Sequence, residues 1–303
     1  MKVDPVPFLI SEALFSNIGG TATLIGSVPN IIIGSAVPEH MAFMDFITHL
    51  CPAVIIMLPL TMIYHGYFFK KQLSVKTSLN ASRLLRKYTI RDKPLLAKSC
   101  IVTGTVVLLF FLHPLHHIDT AWIACVGGVV LLLVASPREM HSAMIHIEWD
   151  TLLFFAALFT MIAATGELGL IRWIADLISD IVRAAPEEDQ LAAAVMLLLW
   201  VSACVSAVLA NIPYTATMVP IVVLMAKELN LPTQTLVIAL AFGACLGGCG
   251  TIVGASANLI LAGVAQTHGH HIGFVYWMKV GVPTVLLCTG IASLYMMARY
   301  VWV

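Results

Sequence analysis

Apolar residues run along this chain in long blocks, and polar residues gather in short segments between them. Blocks at 46–69, 97–113 with its flanks, 120–136, 149–165, 191–210, 236–264 and 275–298 approach or exceed the roughly 20 residues a helix needs to cross hydrocarbon. One such block could be a buried core helix, but seven predict an all-α polytopic membrane protein. Segment 168–185 is patterned differently. Leu168, Ile171, Ile174, Ala175, Ile178 and Val182 recur at helical spacing opposite charged positions, which predicts an amphipathic arm lying in the membrane interface.

Two apolar stretches are interrupted in the same way, 228 positions apart. Residues 19–30 read GGTATLIGSVPN and residues 247–258 read GGCGTIVGASAN, so both follow GGxxTxxGxxxN. The correspondence resumes after an offset of three, with Phe43, Phe46 and Pro52 answering Phe274, Trp277 and Pro283. Glycine costs a helix about 1 kcal/mol relative to alanine, so such clusters need a compensating role. Glycine-rich transmembrane segments serve close helix packing. In broken helices they also free backbone carbonyls for a cation and present half-helix N-termini to an anion. The repeated pattern predicts discontinuous helices over 8–36 and 236–264. The candidate binding positions are Gly19, Gly20, Thr21, Thr23 and Asn30 in the first, with Asn17 flanking it, and Gly247, Gly248, Cys249, Gly250, Thr251 and Asn258 in the second.

A third polar interruption, Asn211-Ile212-Pro213-Tyr214-Thr215-Ala216-Thr217, lies between apolar arms within 190–228. Pro213 removes a backbone donor and disfavours the helical region for Ile212, so the helix is expected to break there. The pattern suggests a re-entrant hairpin whose tip carries Asn211, Thr215 and Thr217. One kinked spanning helix followed by a short second one is the alternative.

Composition sharpens the class. Apolar residues make up 60% of the chain and charged residues 11%, far below the quarter or so typical of soluble domains. A net charge of zero argues against a nucleic-acid partner. Nine of the sixteen basic residues fall in 70–98 with Asp92 as the only acid there, which marks that loop as cytoplasmic. Counting crossings onward places 166–189 on the other side, where acids outnumber bases. The opening MKVDPVPFLI lacks the order of a secretory signal. The seven cysteines show no framework spacing, and Cys245 and Cys249 have no nearby second ligand pair for a metal. No HExxH pair, GxSxG elbow or opposed Asp pair appears, so an enzyme is not expected.

The segments ISEALFSNIGGTATLIGSVPNIII, NIPYTATMVPI and ALAFGACLGGCGTIVGASANLI together resemble the P protein (pink-eyed dilution) branch of the ion transporter superfamily. Its relatives include arsenite permeases, citrate and dicarboxylate carriers, and sodium/proton antiporters of the NhaD type. The resemblance covers essentially the whole chain. It implies an inverted-repeat ion transporter fold with broken helices and re-entrant hairpins, the substrate lying between hairpin tips and each tip pairing with the break that follows it. On that pattern, residues 1–69 close a first, incomplete repeat, as a discontinuous helix 8–36 plus a spanning helix 46–69. Residues 70–98 form the basic cytoplasmic loop, and 97–303 form the second repeat. That repeat holds spanning helices, the arm 168–185, the hairpin 190–228, the discontinuous helix 236–264 and a last helix 275–300. The first hairpin is missing, which suggests N-terminal truncation. Three segments depart from the pattern: Ala210 where the family has Ser or Asp, Cys249 within a GGNGT-like run, and Ser27-Val28 where DPPN is usual. Each departure removes a hard oxygen ligand or a charge and weakens the case for a cation there.

The expected function is secondary transport, or channel-like conduction, of a small ion or anion across a lipid bilayer. Na⁺ or H⁺ is the expected coupling ion, and no organic cofactor is expected. Glu12, an intramembrane acid before the first break, is the coupling candidate. His113, His116 and His117, and His268, His270 and His271, read as solvated loop residues. The resemblance implies a multi-pass protein of an endolysosomal or melanosome-like organelle membrane, with the plasma membrane still open, and a homodimer or full-length relative as partner. The competing reading is a truncated, non-transporting isoform that regulates such a relative.

Overall fold

The computed structural model describes residues 4–73, 93–116, 118–134, 140–141, 144–145, 147 and 149–302. Most of the basic loop (Lys76, Arg83, Arg86, Lys87, Arg91 and Asp92), together with His117 and Arg138, lies outside the described residues. Among the described residues there are helices and no strand. Among the described residues twelve helices of nine or more residues carry the fold: α1 (Val6–Gly20), α2 (Val28–Ala36), α3 (Phe43–Phe68), α4 (Lys93–Phe111), α5 (Thr120–Val134), α6 (Trp149–Glu167), α7 (Leu170–Arg183), α8 (Gln190–Val208), α9 (Asn211–Glu228), α10 (Thr233–Gly247), α11 (Ser256–Thr267) and α12 (Phe274–Met296). Short helical turns fill several of the connections.

The chain divides into two compact units, one of residues 1–75 with 157–303 and one of residues 76–156. In the smaller unit α4 and α5 pack against each other, and Gly127 admits Val106, whose side chain a Cβ would overlap. Outward faces are apolar, as at Ile101, Trp122 and Leu133. The larger unit contains both broken helices. Phe43–Phe68, Lys93–Phe111, Glu187–Val208 and Phe274–Val301 are each long and apolar enough to cross a membrane, and Thr151–Glu167 with Leu170–Arg183, bent by 71°, makes a fifth. The sequence pattern gave seven such blocks. The difference arises because one block is cut at its break and the 120–136 block forms a helix of 15 residues.

The core of the larger unit is α10, whose residues Leu236–Leu246 are all buried. It lies tightly against α8 because a Cβ at Gly243 would crowd Leu199 O and one at Gly247 would overlap Ala203 O. Small residues let helix backbones approach where lipid offers no hydrophobic drive for association. Serine completes the seam, since Ser206 Oγ donates to Ala244 O at 2.7 Å. Helices α3 and α12 pack side by side. Buried hydroxyls join them: Thr61 Oγ1 meets Cys288 Sγ at 3.4 Å, and His65 Nε2 meets Thr284 Oγ1 at 3.1 Å.

Gly169, at φ 78°, takes the left-handed turn that separates α6 from α7. Arm α7 buries Ala175, Ser179 and Val182 and packs on α9. It leaves a second apolar stripe, Trp173, Leu177 and Ile181, exposed beside Arg172, Asp176, Asp180 and Arg183.

The α8–α9 pair folds back on itself. Tyr214 Oη donates to Ser202 Oγ at 2.9 Å. Twelve residues of continuous helix would hold the two about 18 Å apart. The far end of α9 returns to α7, where Ser179 Oγ donates to Glu228 Oε2 at 3.3 Å. The turn is Leu209-Ala210, both extended, with Asn211 as the first residue of α9. The break therefore precedes the proline rather than falling on it. Pro213 sits in the first turn of α9, where its missing N–H has no intrahelical partner to lose.

Candidate functional site

Both glycine motifs break their helices, and the two breaks are wired alike. After Gly20 the chain leaves the helix, makes a short 3₁₀ turn over Leu24–Gly26 and restarts at Val28 behind an extended Ser27 (φ −146°, ψ 138°). After Gly247 the chain leaves the helix through turns and bends with no 3₁₀ segment and restarts at Ser256 behind an extended Ala255 (φ −141°, ψ 144°). A shift of 228 superposes the bonding as well as the letters. Asn30 Nδ2 donates to Gly20 O, Thr21 O and Thr23 O at 3.4, 3.1 and 2.9 Å. Asn258 Nδ2 donates to Gly248 O and Thr251 O at 2.8 and 2.9 Å. Both asparagines are completely buried. In each break the second glycine lies against the third glycine of the shared motif: Gly20 abuts Gly26 and Gly248 abuts Gly254, with carbonyls where side chains would otherwise stand.

This wiring determines which backbone groups remain available. Of the second break's carbonyls, Gly248 and Thr251 are held by Asn258, Cys249 by Trp277 Nε1 at 3.1 Å, and Gly254 by the N–H of Asn211 at 3.0 Å. In the first break Asn30 holds three carbonyls, and Asn17 O accepts from both the N–H and the hydroxyl of Thr21. The N-termini of α2, α9 and α11 carry no side-chain cap hydrogen bond.

Those three N-termini meet at one cavity of about 130 Å³. Its wall comprises Ser16 and Asn17 from α1, Gly26, Ser27, Val28 and Pro29 at the start of α2, Asn211 and Ile212 at the start of α9, Cys245 from α10, and Ala255, Ser256 and Ala257 at the start of α11. No charged side chain lines it. Each helix N-terminus carries roughly half a positive charge, so three together present on the order of +1.5 in a setting built from neutral residues.

Of the positions expected from sequence, Asn17 and Asn211 line this cavity. Asn30, Gly20, Thr23, Gly248, Thr251 and Asn258 shape the breaks behind it. Gly247 and Gly250 face α8, against Ala203 and Ala207. Gly19 meets nothing within 4 Å of an added Cβ. The hydroxyls of Thr215 and Thr217 turn back onto their own helix, donating to Asn211 O and Pro213 O at 2.7 and 2.9 Å, instead of facing the hairpin tip. Thr21 does likewise onto Asn17 O at 3.0 Å. The thiol of Cys249 lies 4.0 Å from Leu14 O. Glu12 is exposed on α1 and is not part of the cavity wall, although it lies one turn before Ser16, which is. Among the described residues no group of three His, Cys, Asp or Glu side chains could hold a metal ion.

Ser27, Ser256 and Cys245 had not been anticipated. Ser27 and Ser256 could have been found from the rule that the residues opening a helix after a glycine break point N–H groups into the gap. Cys245 stands two residues before its motif, as Asn17 does before its own.

The sequence matches the citrate transporter (CitMHS) family over residues 1–231 and 216–302. It is 32% identical over 374 residues to the P protein of Homo sapiens and 31% identical to that of Sus scrofa, in alignments that cover 99% of this chain. The chain spans under half the length of those proteins, 45% and 44% respectively. It is also 36% identical over 305 residues to an uncharacterized transporter of Mycobacterium tuberculosis, covering 99% of this chain and 69% of that one.

Proposed function

The chain belongs to the citrate transporter family and is a multi-pass membrane protein, and from that premise we propose that it is a transporter, a secondary carrier for a small anion. The observation that carries this reading is the convergence on one cavity of three helix N-termini that lack side-chain caps, the first N–H of α9 alone being held by Gly254 O, while asparagine amides hold the carbonyls of both breaks. Helix N-termini favour anions by combining free N–H donors with the positive end of the dipole. With no Arg or Lys in the wall, the site suits an anion of one or two charges, such as a carboxylate or comparable oxyanion. The amides of Asn17 and Asn211 give it direction. Transport proceeds as the hairpin α8–α9 and the break behind it move together, since Asn211 N–H is bonded to Gly254 O. Na⁺ or H⁺ is the coupling ion of this reading. An organelle membrane and a homodimer or full-length partner complete it, and both are tested by imaging of a tagged chain and by its oligomeric mass.

The experiment is uptake of labelled citrate, acetate and phosphate into vesicles reconstituted with the purified chain, under imposed Na⁺ or pH gradients. Flux of at least one of these anions, reduced tenfold or more by Asn211→Ala, supports the reading. Flux that is indifferent to Asn211→Ala and to Ser256→Pro refutes the assignment of the site. No anion flux, together with co-purification of a full-length relative, would return the regulatory reading.

A further inference from the structure

The 228-residue correspondence extends beyond the motif to a pair of bonds that cross between the repeats. Asn17 Nδ2 donates to Asn258 Oδ1 at 2.9 Å. Asn17 shifted by 228 is Cys245, and Asn258 shifted back is Asn30. Cys245 Sγ donates to Asn30 Oδ1 at 3.3 Å. Each break asparagine thus spends its amide N–H groups on carbonyls of its own break, and its oxygen accepts from the helix that enters the other break. The two bonds are unequal. An amide N–H is a full-strength donor, whereas a thiol is a weak one. The thiol proton of Cys245 is moreover shared with Ser27 Oγ at 3.4 Å. Both donors line the cavity.

We propose that Asn17 and Cys245 are repeat-equivalent positioning residues that clamp the two broken helices against each other, and that Cys245 is the weaker clamp, at which the cavity opens. The inference rests on the carrier reading for its functional consequence and on geometry alone for the clamp. It makes position 245 a setting for transport rate: an amide there holds the breaks closed longer, while the donors that meet the anion stay in place. Asparagine is only slightly larger than cysteine, and the cavity beside it leaves room for the difference.

The test exchanges the two residues. The full chain purified in detergent is compared as native protein, Cys245→Asn, Asn17→Cys and the double exchange Asn17→Cys/Cys245→Asn. Two amide clamps should raise the melting temperature by about 2–4 °C, and two thiol clamps should lower it by as much, the size of one ordinary hydrogen bond in a chain of this length. The double exchange should return close to the native value. A double exchange that melts no higher than Asn17→Cys overturns the equivalence. Should the double exchange not fold, Cys245→Asn must melt about 2 °C or more above Cys245→Ala, and equal melting overturns the clamp.

Uptake of whichever of labelled citrate, acetate and phosphate the native chain moves gives the readout that a purely structural role would not move. Maximal rate should fall at least threefold in Cys245→Asn while KM stays within twofold of native. A rise in KM with the rate unchanged would make Cys245 a direct ligand and overturn the positioning role. If the native chain moves none of citrate, acetate and phosphate, the failure belongs to the transport reading, and the melting order still decides the clamp.

Discussion

Replacing Asn258 by alanine probes the break most directly, because one buried side chain there serves three partners. Its amide satisfies Gly248 O and Thr251 O, and its oxygen receives Asn17 Nδ2. The partners are not equally dependent on it. Thr251 O keeps a second donor in the N–H of Gly254 at 3.3 Å, and Asn17 borders the cavity and can turn toward it. Gly248 O loses the Asn258 amide and is left orphaned inside the bundle. An orphaned buried carbonyl costs about 1–3 kcal/mol and each merely lost hydrogen bond about 0.5–1.5 kcal/mol, so the substitution should destabilise the fold by roughly 3 kcal/mol. At about 2–4 °C per kcal/mol for chains of this order of size, the melting temperature of the detergent-purified protein should fall by about 6 °C or more. Thr267→Ala is the matched control, since its hydroxyl bonds Val264 O at an exposed position and should leave melting within about 1 °C. An Asn258→Ala variant that melts like this control would refute the claim that the asparagine ties the break together.

Two further substitutions separate structural from permissive positions. Gly247→Ala drives a Cβ into the backbone of Ala203 and should cost at least about 2 kcal/mol by overpacking. Gly19→Ala, its repeat mate, meets open space and should be neutral or stabilising by up to about 1 kcal/mol, both read by melting temperature. Trp277→Phe keeps most of a fully buried ring but removes the donor to Cys249 O. It should lower stability by about 1–3 kcal/mol, and a variant indistinguishable from native in melting would show that the carbonyl finds another donor.

The large features of the fold were legible because lipid imposes long apolar blocks and because the glycine motif occurs twice. Repetition made Asn30 and Asn258 stand out, and both prove to be the side chains that bind the breaks together. The roles of hydroxyls were not legible. Thr21, Thr215 and Thr217 look like ligands in sequence, yet each hydroxyl donates to the nearest alternative, a carbonyl four residues back, as serine and threonine commonly do in apolar helices. The turn of the hairpin was misplaced for a related reason. Proline marks a boundary region, but it fits the first turn of a helix as well as the gap before one, so Pro213 alone could not say that Leu209-Ala210 makes the turn.

A broken helix exposes carbonyls at one edge of the gap and N–H groups at the other, and sequence alone cannot say which edge will face a ligand. Here the asparagine that ends each motif decides it. An amide nitrogen carries two donors and no acceptor, so placing it inside the break consumes carbonyl capacity and makes no demand on the N–H groups of the opposite edge. The amide oxygen then has to be satisfied elsewhere, and in both breaks the donor comes from the other repeat. Stabilising each break and joining the two breaks are therefore one arrangement of side chains. Converting Asn30 and Asn258 to aspartate would reverse it: carboxylates repel the carbonyls they now hold and place negative charge behind all three helix N-termini. Such a double variant, if it folds, should lose anion uptake, and retention of native uptake would show that the anion is recognised somewhere other than this cavity.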